Sequence, residues 1–132
     1  METSKLDKAL WVGAGGFIGS VLRYVIAGLV QSAFPGSVFP YGTLVVNVTG
    51  CLVIGCLSQL VESHQAFGPG ARAFLVVGIL GGYTTFSTFG NETVNLLREG
   101  QRLAAGLNIG AHLALALSAV WLGRLTAQVI WK

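Results

Sequence analysis

The sequence predicts an all-α membrane protein of four transmembrane helices, the third interrupted near its centre. Three observations carry that prediction. Of 132 residues, 53% are hydrophobic and only 10% are charged, where a soluble domain carries roughly 25% charged residues; mean hydropathy is +0.71. Four mostly apolar stretches, at about 9–31, 41–61, 71–97 and 103–127, match the roughly 20 residues that a spanning helix needs. Within the third, the run from Gly78 to Glu92 sets glycines and hydroxyls in the middle of apolar sequence. Backbone and hydroxyl groups in hydrocarbon need partners, so this run must face protein, water or an ion.

The first stretch is too long for a cleaved signal peptide, contains Arg23 and precedes three further spans. Gly15 and Gly19 lie four apart, a spacing that lets helix backbones approach where no hydrophobic effect drives association. Phe34-Pro35-Gly36-Ser37 with Pro40 ends the span. The second stretch carries Asn47 at mid-span. Its Cys51 and Cys56 are five apart and off a common face, so they read as small packing residues rather than a disulfide or metal pair. A loop follows from Glu62 through Gly70.

The third stretch, about 27 residues at 1.5 Å each, exceeds the roughly 30 Å hydrocarbon thickness, an excess that either tilt or an interruption near residues 81–85 would absorb. Adjacent Gly81 and Gly82 before Tyr83-Thr84-Thr85 weaken a helix there, and a break would free carbonyls able to bind a cation. The loop around Arg98-Glu99-Gly100-Gln101-Arg102 leads into the fourth stretch, which holds Gly106 and Gly110 and, four apart on one face, Asn108 and His112. Trp11, Trp121 and Trp131 lie near span ends, where their rings favour the interface.

One four-span domain fills residues 1–132, and both termini fall on the same side. A net charge of +3 does not point to nucleic acid. Lys5, Lys8, Arg72 and Lys132 fall on the side of the termini, against Arg98 and Arg102 on the other. So slight a bias is compatible with insertion in both orientations. Four spans make a thin bundle with little interior, so self-association is expected. No Ser-His-Asp set, phosphate loop or metal-ligand cluster is present, so an enzyme reading has no residues to stand on.

Several residues admit two readings. Asn47 is interhelical glue, worth around 0.6 kcal/mol, or a donor into a permeation path. Phe86 and Phe89 share a helical face. They are packing, or they present positive ring edges to an anion beside the hydroxyls of Thr84, Thr85, Ser87 and Thr88. Neutral donors suit conduction, because an ion held by a full charge would not leave. Arg23 snorkels to the interface, or draws anions into a vestibule and ties down loop carbonyls. Glu92 is read as the carboxylate within a span, partnered by an arginine or backbone or coupled to protons. His112 is read as a neutral hydrogen-bonding histidine.

Taken together, Gly15-Gly16 through Arg23-Tyr24, Gly42-Thr43-Leu44 through Asn47 and Gly50, and Gly81-Gly82-Tyr83-Thr84-Thr85-Phe86-Ser87-Thr88-Phe89 through Glu92 resemble the small fluoride-channel family called Fluc or CrcB. The ending Ala119-Val120-Trp121-Leu122-Gly123 extends the likeness over nearly the whole chain. The resemblance implies a multi-pass protein of the bacterial inner membrane, assembled as an antiparallel, dual-topology homodimer with two fluoride pores. By motif, Phe86 and Phe89 would line the pores and Asn47 would be an amide donor, with Ser87 and Thr88 in a polar track. Asn108 would join them from a position where many members carry a tyrosine. The helix break would fall at Gly81–Thr84, and carbonyls of Gly81 and Thr84 from both subunits would cage a structural sodium ion at the interface.

The implied activity is passive, electrogenic, fluoride-selective export. Three alternatives compete with it. A proton-coupled exporter of the small multidrug-resistance type needs an acid in the first span, where this chain has glycine and arginine. A fluoride/proton antiporter would need Glu92 or His112 to titrate with turnover. A non-transporting scaffold would make Asn47, Phe86 and Phe89 replaceable packing residues.

Overall fold

A computed structural model describes residues 4–132, which are helical apart from short connections. Helix α1 (Lys5–Ser32) starts on a capping box: Asp7 N–H donates to Ser4 Oγ at 3.1 Å, and Ser4 N–H donates to Asp7 Oδ2 at 3.0 Å. Two donors that a helix start leaves unpaired are thereby satisfied. Helix α2 spans Tyr41–His64. The third span, Pro69–Arg98, is two helices. The first, α3 (residues 69–83), runs from Pro69–Arg72 through a π-wound stretch at Ala73–Leu80 into Gly81–Tyr83. The second, α4, is Phe86–Arg98. Helix α5 (Arg102–Ile130) has a π-wound turn at His112–Ala116.

All four spans outrun the apolar stretches that announced them. Polar helix ends such as Lys5-Leu6-Asp7-Lys8 continue the helix into the headgroup layer, where water and lipid polar groups solvate them. Because α2 reaches His64, Glu62 also lies on a span helix, which corrects the reading of Glu92 as the sole carboxylate there.

The molecule is arranged for a non-aqueous surrounding. Leu6, Phe17, Leu29, Leu103 and Leu117 face outward, whereas Thr43, Asn47, Thr93, Asn108 and His112 are buried. Among the described residues, Val46 and Asn108 are the largest side chains that are enclosed completely. In a bilayer this costs little, since lipid accepts leucine as readily as a core does, while polar groups must find one another.

Two parallel helix pairs form the body. Along α1 and α3, a Cβ on Gly19 would strike the Ile79 carbonyl, and one on Gly82 would stand 2.6 Å from the Gly16 carbonyl oxygen. The first two expected glycine pairs, Gly15 with Gly19 and Gly78 with Gly82, therefore do lie at a helix contact. Gly106 and Gly110 do not: open space surrounds both within the subunit. Along α2 and α5 the contact register is nearly constant, pairing Asn47 with His112, Gln59 with Arg124, and His64 with Trp131. Gly55 sits against the Val120 carbonyl and Gly123 against that of Leu52. At the far end of this pair, Arg124 donates to both carboxylate oxygens of Glu62 at 2.9 and 3.0 Å. The α1–α2 turn is tied by Gln31, which donates to the Phe39 carbonyl and accepts from Gly42 N–H, each at 3.1 Å.

Candidate functional site at the break in the third span

Between α3 and α4 the chain runs extended for two residues, Thr84 (φ −85°, ψ 155°) and Thr85 (φ −152°, ψ 117°). This differs from the expected Gly81–Thr84 break. Gly81 is helical, at φ −62° and ψ −37°, and the helix continues through Tyr83. The reason is packing. Gly82 must be glycine to lie on the Gly16 backbone, and it does so in helical conformation.

Thr85 is held open by Asn47. In an unbroken helix the Thr85 N–H would serve the Gly81 carbonyl. Here it donates to Asn47 Oδ1 at 2.8 Å, and Asn47 Nδ2 donates to the Thr85 carbonyl at 3.0 Å. The side-chain amide pairs with one residue's backbone as a neighbouring strand would. Thr88 N–H likewise turns from the Thr84 carbonyl to Thr85 Oγ1, at 3.2 Å, and the Thr85 hydroxyl donates to Thr88 Oγ1 at 3.1 Å. Thr85 thus caps α4, and neither Gly81 nor Thr84 has its carbonyl served by the residue four positions on.

The polarity of the remaining network follows from groups that can act only one way. The Thr85 N–H can only donate, so Asn47 Oδ1 faces it and Nδ2 carries two protons elsewhere. The second of these reaches His112 Nε2 at 3.2 Å. On the opposite ring nitrogen, His112 Nδ1 stands 3.0 Å from the Asn108 backbone carbonyl, which can only accept. Nδ1 therefore holds the ring proton and Nε2 is bare, a neutral imidazole. Behind it, Thr93 donates its hydroxyl to the Phe89 carbonyl at 2.7 Å and accepts from Asn108 Nδ2 at 3.0 Å. The Asn108 Oδ1 is buried without a partner.

These groups surround a cavity of about 240 Å³ whose walls include Asn47, Thr84, Thr85, Phe86, Phe89 and His112. No charged side chain lines it among the described residues. The Phe86 and Phe89 rings lie 5.5 Å apart at 49°, and Phe89 leans on His112 with centroids 4.3 Å apart. Phe86 is 83% exposed within the subunit, so its outer side has no intramolecular cover.

A second recess, about 340 Å³, lies on the other side of the break and is lined by Arg23, Tyr24, Thr43, Thr88 and Glu92. Thr85 forms part of both walls. Glu92 accepts from the Thr43 hydroxyl at 2.8 Å, and its other oxygen is buried without a partner.

The structure thus brings Asn47, Phe86 and Phe89 to one cavity, and Thr88 and Arg23 to the adjoining recess. Ser87 is exposed beside Thr85, with 3.3 Å between their hydroxyls. Asn108 is fully enclosed, one layer behind the cavity wall. Sequence reasoning assigned no role to Thr43, Thr93 or the backbone of Thr85. The available signal was spacing: Thr43 and Asn47 are four apart on α2, as are Phe89 and Thr93 on α4.

The family profile described as CrcB-like protein, Camphor Resistance (CrcB) matches residues 10–124. A protein of Shewanella amazonensis named fluoride-specific ion channel FluC is 48% identical over 120 residues, covering 90% of this chain and 94% of that protein. Proteins of the same name from Nitratidesulfovibrio vulgaris (43% over 125 residues; 95% of this chain, 100% of that protein) and Elusimicrobium minutum (48% over 119; 90% and 92%) are also similar. None of these names denotes an enzyme. With the profile and the relatives both matching across the four spans and the break between α3 and α4, the chain belongs to the CrcB-like family.

Proposed function

We propose that this protein is a passive, electrogenic, fluoride-selective channel of the bacterial inner membrane, exporting cytoplasmic fluoride. The observation that carries the reading is the uncharged cavity at the break, walled by two phenyl rings and an amide. A phenyl ring is positive at its edge, so Phe86 and Phe89 attract an anion without a full charge. The hydroxyls of Ser87 and Thr88 replace part of its hydration shell, weakly enough for the ion to leave. Asn47, its two amide protons committed to the Thr85 carbonyl and His112 Nε2, holds the wall of the path in place. Asn108 acts from behind, through His112 and the Phe89 backbone. Arg23 raises the local anion concentration at the recess. Hydrogen fluoride crosses membranes as a neutral molecule and releases fluoride inside. An interior-negative potential then drives the anion out by about 2.3 kcal/mol per 100 mV. Chloride must be refused, or the pore would dissipate that potential.

In this proposal the working unit is an antiparallel, dual-topology homodimer with two pores. Exposed Phe86 and the near-balanced charge of the two sides support it. A structural sodium ion at the interface would be held by the carbonyls of Gly81 and Thr84 from each subunit. Both lack the usual donor four residues on, because Asn47 and the Thr85 hydroxyl take those protons. A bound cation would supply the missing positive partner for these carbonyls.

One observation favours a second reading, fluoride/proton antiport: the unpartnered oxygen of Glu92. Fluoride efflux from liposomes under a potassium gradient with valinomycin, against a chloride control, separates the two. Voltage-driven fluoride flux without a proton carrier supports the channel, and flux tied to counter-moving protons overturns it. No flux from assembled protein would return the chain to a scaffold role.

A further inference from the structure

We propose that His112 is a positioning residue of the pore, its bare Nε2 orienting the Asn47 amide that holds the third span open. The inference rests on the fluoride-channel reading only for its transport readout.

The argument begins with what Asn47 can do alone. An asparagine amide on a helix rotates about its terminal torsion with a broad, nearly two-fold preference. Flipped by half a turn, it would face the Thr85 N–H with its own N–H and the Thr85 carbonyl with its own oxygen, losing both bonds. An acceptor on the far side of Nδ2 opposes that flip, because the flipped amide would present oxygen to it. His112 Nε2 is that acceptor, 3.2 Å away.

The acceptor is itself fixed. His112 Nδ1 gives its proton to the Asn108 carbonyl, one turn back on α5, which leaves Nε2 without one. Phe89 stacks obliquely on the imidazole and limits its swing. The order of control therefore runs from the α5 backbone to His112, to Asn47, to Thr85. Two spans that do not carry the break decide its shape.

The protein contains two histidines, and they should occupy opposite tautomers. His64 Nε2 lies 2.8 Å from the Trp131 carbonyl and so carries its proton there when neutral. His112 carries its own on Nδ1. The test is nitrogen-15 magnetic resonance of histidine-labelled protein in lipid bilayers, with His64→Gln to assign the signals. The expected result is a neutral, Nδ1-protonated His112. A Nε2-protonated or doubly protonated His112 at neutral pH overturns the proposal, whether or not the protein conducts.

Fluoride flux in two variants completes the test. His112→Gln keeps an acceptor at a reach similar to Nε2 and should retain flux within about threefold. His112→Leu fills the space without an acceptor and should lose at least about tenfold while the assembled protein persists on gel filtration. Equal flux in both variants overturns the positioning role. Absence of flux in the wild-type protein would instead overturn the channel reading and leave the tautomer result to decide the role of His112.

Discussion

Asn47 pairs with Thr85 through both backbone polar groups, accepting its N–H at 2.8 Å and donating to its carbonyl at 3.0 Å. Extended backbone in the middle of a span normally exposes unpartnered groups to hydrocarbon, which is why spans are helices. Here a side chain from α2 supplies what a neighbouring strand would supply. The break needs no water to satisfy Thr85, and it frees the Gly81 carbonyl as a consequence.

Replacing Asn47 by leucine should therefore be far worse than losing an ordinary interhelical bond. Asn47→Leu strands the Thr85 N–H and carbonyl together, and each stranded group costs about 1–3 kcal/mol. Thr85→Ala keeps both backbone bonds and loses the cap to Thr88, about 1 kcal/mol. Thermal unfolding in detergent should rank wild type above Thr85→Ala and Thr85→Ala above Asn47→Leu, with flux abolished in Asn47→Leu alone. A leucine variant as stable as the alanine variant would deny the clasp its role.

That contrast marks how far the residues could be read in advance. The four spans were legible because bilayer thickness imposes length and hydropathy on each one separately. A weakness in the third span was legible from Gly81-Gly82, but its place was not. The glycines are there for close approach to α1, while the break lies where Asn47 withdraws the Thr85 proton. Asn108 and His112 were visible as a polar face of α5. Their partners were not, because the register of α5 against α2 and α4 is tertiary information. No periodicity within one helix reveals that position 47 meets position 112.

Phe86 and Phe89 present the same choice between packing and chemistry that the sequence left open. Phe86→Ile and Phe89→Ile keep apolar bulk and remove the polarised ring edge. Each should abolish fluoride flux while the protein still assembles, as measured by liposome efflux alongside gel filtration. Wild-type flux in either variant would defeat the ring-edge reading and favour simple packing.

Glycines divide sharply by what stands beside them. A methyl on Gly19 would press on the Ile79 carbonyl, and one on Gly123 on the Leu52 carbonyl, with only backbone available to yield. Gly19→Ala and Gly123→Ala should each lower the unfolding temperature markedly and reduce the yield of assembled protein. Gly106→Ala meets open space and gains helix propensity, up to about 1 kcal/mol, so it should be neutral or stabilising within the subunit. If Gly106→Ala instead prevents assembly, that face is buried against another copy.

Orientation is the property most exposed to small changes. Lys5, Lys8, Arg72 and Lys132 oppose Arg98 and Arg102, and Arg124 is already paired with Glu62. Lysines and arginines within short flanking segments set topology, and the present margin is slight. Adding two lysines beside Arg98 would weight the opposite side and bias insertion toward one direction. If assembly requires one subunit in each orientation, the variant should yield monomer or misassembled protein in cells. Co-expression with a second variant carrying lysines beside Arg72 should restore the dimer. Site-specific labelling of single cysteines from each side of the membrane reads the orientation directly. A fully assembled dimer whose protomers all label from one side would overturn antiparallel pairing, and restoration only by the oppositely biased partner would support it.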